Sequence, residues 1–219
     1  LRVFSVSTGD LLRELKGHSR AVYSVVYSPD SLLIASGAED STMRIWDAAS
    51  GEETASFKLG GGVCGVSFSN DIPTTRVAAA SYDDGKITIF DLQNRRKLKE
   101  KMIHNEALRL SFSPDNKFIL SGGRDGDIVI SKSDSLDEIK KISLPSTPYI
   151  FSVSFSPSGD KFAIGTQETK SVHIFQTSTG AELKCIKEHS DWVRSVSFSP
   201  DGKHLISGST DKSVKCHVV

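Results

Sequence analysis

Residues 17–47 read GHSRAVYSVVYSPDSLLIASGAEDSTMRIWD. Three short apolar runs, Ala21 to Ser28, Leu32 to Gly37 and Thr42 to Asp47, are separated by Ser-Pro-Asp and by Ala-Glu-Asp-Ser, and a fourth, Thr54 to Lys58, follows. Each run is rich in β-branched or aromatic residues and bounded by turn formers, which predicts four strands. No stretch carries an apolar stripe of helical period between caps, so almost no helix is expected.

The same unit recurs along the chain. Ser28-Pro29-Asp30, Ser69-Asn70-Asp71, Ser113-Pro114-Asp115, Ser156-Pro157-Ser158 and Ser199-Pro200-Asp201 begin 41, 44, 43 and 43 residues apart. The slot of Trp46 is taken by Phe4, Phe90, Ser131, Phe175 and His217. One four-stranded sheet cannot cover both of its faces, whereas sheets stacked radially bury a core between neighbours, which predicts an all-β propeller of antiparallel blades. A single domain over residues 1–219 divides into a partial repeat, 1–16, and repeats at about 17–59, 60–102, 103–145, 146–187 and 188–219. Leu1 to Ser5 reads as a third strand and Leu11 to Leu15 as an outer fourth strand, while the last repeat stops at its third.

Gly17-His18, Ser36-Gly37, Asp40 and Ile45-Trp46-Asp47 together resemble the signature of the WD-repeat family. Degenerate versions follow: Ser81, Asp84 and Phe90-Asp91; His104, Ser121-Gly122 and Asp125; Gly165 and Phe175; His189, Ser207-Gly208 and Asp211. The resemblance implies a seven-bladed ring, of which about five and a half repeats are visible. The alternative is a five-bladed ring in which Leu11 to Leu15 completes the last blade. It also implies that His18, Ser36, Asp40 and Trp46 form a buried structural tetrad. Their types overlap with a hydrolase triad, yet a buried carboxylate orienting an imidazole and a hydroxyl satisfies the same groups without substrate. His217 and Ser131 in the Trp slot predict altered or incomplete networks in the fifth and third full repeats.

The 27 basic and 27 acidic residues cancel, which removes the charge footprint of a general nucleic-acid binder or a polybasic membrane protein. The longest apolar runs, Leu32 to Ala35 and Val77 to Ala80, are far short of the roughly 18 residues that span a bilayer. Cys64, Cys185 and Cys216 have neither disulfide nor zinc-finger spacing, so no metal or cofactor is expected and an intracellular location, cytoplasmic or nuclear, fits. The chain begins at Leu1, as a part of something longer would.

Gly60-Gly61-Gly62-Val63-Cys64-Gly65 matches the dinucleotide fingerprint GxGxxG, but it runs into an inner strand rather than a helix. Arg95, Arg96, Lys97, Lys99 and Lys101 crowd one outer strand, where charge blocks strand addition. Partner-facing residues are expected at the entry to each inner strand and before each tetrad Asp, by family resemblance. These are Tyr23, Leu108, Tyr149, Phe151, Trp192 and Arg194 at the former and Glu39, Asp83, Arg124, Glu168 and Thr210 at the latter. Aromatics and Arg are the usual interface anchors; the competing reading has Tyr149 and Phe151 packing between blades. Arg109 puts a long cation where other repeats have Ser or Gly, as a ligand contact or a solvated channel lining. The sequence thus predicts a non-catalytic scaffold that binds proteins or peptide segments within a larger complex. Its rivals are a nucleic-acid-associated adaptor and a propeller enzyme.

Overall fold

The computed structural model describes residues 1–145 and 149–219; the expected repeat boundary at residue 146 lies outside them. Among the described residues every regular element is a strand. β1 (Arg2–Phe4) and β2 (Leu11–Glu14) pair as a hairpin. The first full sheet holds β3 (Val22–Tyr27), β4 (Leu33–Ala38), β5 (Thr42–Asp47) and β6 (Glu53–Lys58). The second holds β7 (Val63–Phe68), β8 (Arg76–Ser81), β9 (Lys86–Asp91) and β10 (Arg96–Met102), and the third β11 (Ala107–Phe112), β12 (Phe118–Gly123), β13 (Asp127–Lys132) and β14 (Glu138–Ser143). The fourth holds β15 (Ile150–Phe155), β16 (Lys161–Thr166), β17 (Val172–Gln176) and β18 (Glu182–Ile186), and the fifth β19 (Val193–Phe198), β20 (His204–Ser209) and β21 (Val214–Val218). Sequential neighbours pair antiparallel throughout.

The recurring serine sets the turn between the first two strands of each sheet. Ser28 Oγ donates to Asp30 Oδ1 at 2.5 Å and accepts from the Leu33 amide at 2.9 Å. Ser113 repeats this with Asp115 and the Phe118 amide, and Ser199 with Asp201 and the His204 amide. Where Ser158 replaces the aspartate, Ser156 reaches on to Asp160 at 2.9 Å. The Ser28 hydroxyl holds the Asp30 carboxyl down at about 2 against its modest desolvation.

Inner strands β3, β7, β11, β15 and β19 adjoin in that order, with apolar clusters filling each interface. Close approach depends on one position of the second strand. A Cβ on Gly37 would come within 2.6 Å of Val63, one on Gly122 within 2.5 Å of Ile150, and one on Gly165 within 2.8 Å of Val193. Gly208 holds that position in the fifth sheet and nothing lies within 4 Å of it.

The arc is open. Val25 and Tyr27 on β3 are 56% and 49% exposed, and Val214 on β21 is 76% exposed. β2 pairs with β1 rather than β21, so the five-bladed closure is not formed. Instead the β1–β2 hairpin region supplies Leu1, Val3 and Leu15 to a cluster with Ile34 and Trp46, as the outer half of a preceding blade.

Candidate protein-interaction face

The tetrad is complete in the first full blade. Trp46 Nε1 donates to Ser36 Oγ at 2.8 Å, the Ser36 hydroxyl faces His18 Nε2 at 2.7 Å, and His18 Nδ1 meets Asp40 Oδ2 at 2.9 Å. With the indole donating to the serine, Ser36 donates to Nε2, which leaves the Nδ1 proton for the carboxylate. Burial alone would raise the Asp40 carboxyl, but hydrogen bonds from Thr42, Ser19 and His18 outweigh it and hold it well below the usual range. Ser36 is fully buried, and its hydroxyl is engaged by Trp46 and His18 inside the blade.

The other blades alternate. In the third, His104 bridges Asp125 and Ser121 at 3.0 and 2.9 Å, but Ser131 Oγ in the Trp slot finds no partner. In the fifth, His189 bridges Asp211 and Ser207 at 2.8 Å each, and His217 Nε2 completes the chain 2.9 Å from Ser207. Burial lowers the His217 pKa, favouring the neutral ring. The second and fourth blades replace the network outright: opposite Val66 and Val153, where Ser36 stands opposite Val25, are Ala79 and Ile164. Phe90 and Phe175 fill their Trp slots. Removing both polar partners together avoids an orphaned buried group. Ser81, matched in sequence to Ser36, is therefore two residues beyond the true equivalent.

Loop register needs a second correction. The amides of Glu39, Tyr82, Arg124, Gln167 and Thr210 donate to the carbonyls of Ala21, Gly62, Glu106, Tyr149 and Trp192. Tyr82 and Gln167, rather than Asp83 and Glu168, thus occupy the position of Glu39 and Arg124. Each of these two loops has one extra residue.

Tyr82 joins a continuous ladder across the face. Arg124 donates to the Tyr82 hydroxyl and to the Tyr149 hydroxyl at 2.7 Å, its guanidinium lies 4.2 Å from the Tyr149 ring centre, and it pairs with Glu106 at 2.8 Å. Tyr149 meets Phe151 edge-on at 6.5 Å, and Phe151 lies 5.9 Å from Trp192. The exposed Arg194 guanidinium sits 4.3 and 4.6 Å from the Phe151 and Trp192 rings, steered by Nε donating to Thr210 Oγ1 at 3.2 Å. Tyr149, Phe151 and Trp192 remain partly exposed rather than sealed between blades.

Tyr23 and Leu108 stand apart from this ladder, around a cleft of about 470 Å³ shared with Glu39, Tyr82 and Asp83. Arg109 NH1 donates to the carbonyls of Cys64 and Leu108. It stitches β11 to β7, a role neither of the sequence readings anticipated. Above the glycine-rich stretch, a Cβ on Gly60 or Gly61 would run into the Asp84 or Asp83 carboxylate, and Asp83 accepts from the Gly62 amide at 2.8 Å. The glycines make room for acid, which repels phosphate. The basic strand β10 is the exposed edge of its sheet, and Arg96, Lys97 and Lys101 each face a carboxylate at 3.6, 3.1 and 3.2 Å. Among the described residues no helix is long and apolar enough to cross a membrane.

Comparison with known proteins agrees with this blade architecture. The profile of the WD domain, G-beta repeat family matches residues 9–47, 98–130 and 180–217, the segments that carry the three His-Ser-Asp networks. The chain belongs to the WD-repeat family. It is similar to THO complex subunit 3 of Arabidopsis thaliana (28% identity, 90% of this chain and 62% of that protein) and to WD repeat-containing protein SL1-17 of Schistosoma mansoni (30%, 83% and 60%). A third relative is the serine-threonine kinase receptor-associated protein of Gallus gallus (26%, 95% and 69%). The chain thus spans about three fifths of the length of the first two.

Proposed function

We propose that this chain is a non-catalytic scaffold that holds protein segments within a multiprotein assembly, and that its main docking surface is the ladder Tyr82, Arg124, Tyr149, Phe151, Trp192 and Arg194. The observation that carries this reading is the contiguous run of partly exposed aromatics and guanidinium groups across four blades. Rings and Arg supply contact area at low entropic cost and are the common hot-spot types. Arg194 presents charge between two rings, which suits a segment with an acidic side chain beside an aromatic or aliphatic one. Tyr23 stands exposed beside the neighbouring cleft, whereas Leu108 is buried and Arg109 is spent on backbone carbonyls, so neither of these two joins the surface. The names of two relatives, a complex subunit and a receptor-associated protein, are in keeping with such a role.

Direct nucleic-acid contact forms no part of this reading, because Arg96, Lys97 and Lys101 of the basic strand are paired with Asp91, Glu100 and Asp137. Three free thiols suit a reducing intracellular compartment, cytoplasmic or nuclear.

A photoreactive phenylalanine analogue placed at Tyr149 or at Leu98, followed by cross-linking in an extract of the source cells, tests the site. Specific adducts from position 149 and none from position 98 support it; adducts from position 98 alone move the interface to the sheet edge.

A further inference from the structure

We propose that the outer half of the fourth blade holds a zinc-type metal site made by His173, Glu182 and Cys185. The sequence gives no warning of it, because the donors gather across a hairpin instead of in a CxxC pair. In the β17–β18 ladder His173 lies directly opposite Cys185. Three residues apart, Glu182 and Cys185 would point to opposite faces of a regular strand. A register shift between Ile174 and Phe175 turns both to the same side.

The imidazole nitrogen, carboxylate oxygen and thiol sulfur then lie within 4.8 Å of one another, and Glu182 Oε1 is 2.8 Å from His173 Nδ1. Tetrahedral zinc binds N, O and S at about 2.0–2.3 Å, which sets donors roughly 3.3–3.8 Å apart. The exposed Glu182 and Cys185 side chains can close that difference by rotation, while His173 is buried and fixed. Its Nε2 is 3.2 Å from Thr169 Oγ1, itself 2.6 Å from Thr166 Oγ1. Without metal, Nδ1–H donates to Glu182 Oε1 and Nε2 accepts from the Thr169 hydroxyl; metal binding displaces the Nδ1 proton, and the ring is then held by Nε2–H donating to Thr169, the kind of outer support metal-binding imidazoles have. Solvent supplies a fourth ligand.

Comparison between blades shows why this hairpin differs. Arg44 and Glu53 hold the equivalent positions in the first blade, paired at 2.5 Å, with Ser56 opposite Arg44. There the guanidinium supplies the positive charge. In the fourth blade an imidazole replaces it and a thiol replaces the serine, leaving a carboxylate and two metal-competent donors without a fixed cation. Thiolate with imidazole selects zinc or a similar borderline ion over magnesium or calcium.

The test uses Co²⁺ as a spectroscopic probe on the reduced, metal-stripped chain. One Co²⁺ per chain should bind with a thiolate-to-cobalt charge-transfer band that one equivalent of Zn²⁺ displaces. Cys185→Ser should abolish the band, Cys216→Ser should keep it, and Thr169→Val should weaken Zn²⁺ affinity about 10–100-fold by freeing the ring. Equal melting temperatures of the metal-free variants exclude misfolding as the cause. A missing band, a band that survives Cys185→Ser, or one Co²⁺ per two chains would overturn the assignment.

Discussion

His217 Nε2 stands 2.9 Å from Ser207 Oγ, in the place that Trp46 Nε1 holds 2.8 Å from Ser36 Oγ. A five-membered ring and an indole, four blades apart, each set a ring nitrogen against the buried serine of their own blade. The first and fifth blades thus keep a ring nitrogen on the buried serine with two rings of different size. Trp46→Phe keeps an aromatic but removes the donor from a site sealed by Leu15 and Ile34. The expected loss is about 1–3 kcal/mol of stability, read as a lower midpoint in thermal or urea unfolding. An unchanged midpoint would mean that the indole donor contributes nothing.

Ser131 fills the same slot without a partner, and the space is recovered from an unusual direction. Leu136, at a φ of 60°, occupies the turn position where Gly51 and Gly180 sit at 80° and 75°. It is nonetheless buried, in the cluster of Ile119, the cross-strand partner of Ser131. Leu136→Ala keeps the left-handed strain and loses the burial, at a cost of about 2–5 kcal/mol. Leu136→Gly loses the same contacts but relieves the strain, so it should be the milder change by about 1 kcal/mol. Midpoints in the opposite order would show that the left-handed backbone is not strained, and a Leu136→Ala midpoint equal to the parent's would show that the side chain is not held for packing.

Gly165 and Gly208 occupy one repeat position with opposite surroundings. Adding a methyl at Gly165 forces it against the Val193 side chain and carbonyl at 2.8–2.9 Å, an overpacking that costs about 1–3 kcal/mol. At Gly208 the methyl meets nothing, and reduced freedom of the unfolded chain should make Gly208→Ala neutral or stabilising by up to about 1 kcal/mol. Melting curves of the two variants of this 219-residue chain check the open arc directly; equal losses would mean that another sheet covers Gly208.

What could be read from the sequence followed from what repeats. The serine turns, the strand count and the His18, Ser36, Asp40, Trp46 tetrad are written in local, recurrent chemistry. Tyr82 was hidden because its repeat has lost the anchors: with Ala79 in place of the serine and no histidine, Asp84 passes for the tetrad aspartate and the loop register slips by one. The Arg109 clamp was hidden too, since its acceptors are backbone carbonyls on a neighbouring strand. The contacts of Arg124 with Tyr82 and Tyr149 span three blades and depend on side-chain placement that no single repeat reveals.

The ladder as docking surface is the central claim, and paired affinity measurements on one captured partner segment test it most directly. Trp192→Ala and Arg194→Glu remove exposed or half-exposed groups, so each should leave the melting temperature nearly unchanged. Each should weaken binding by at least about 2 kcal/mol, roughly 30-fold, whereas the Lys97→Glu, Lys99→Glu double reversal on β10 should change the Kd by less than about 3-fold, the scale of exposed rim charges. Normal binding by the Trp192 and Arg194 variants, with loss in the β10 reversal, would contradict the account.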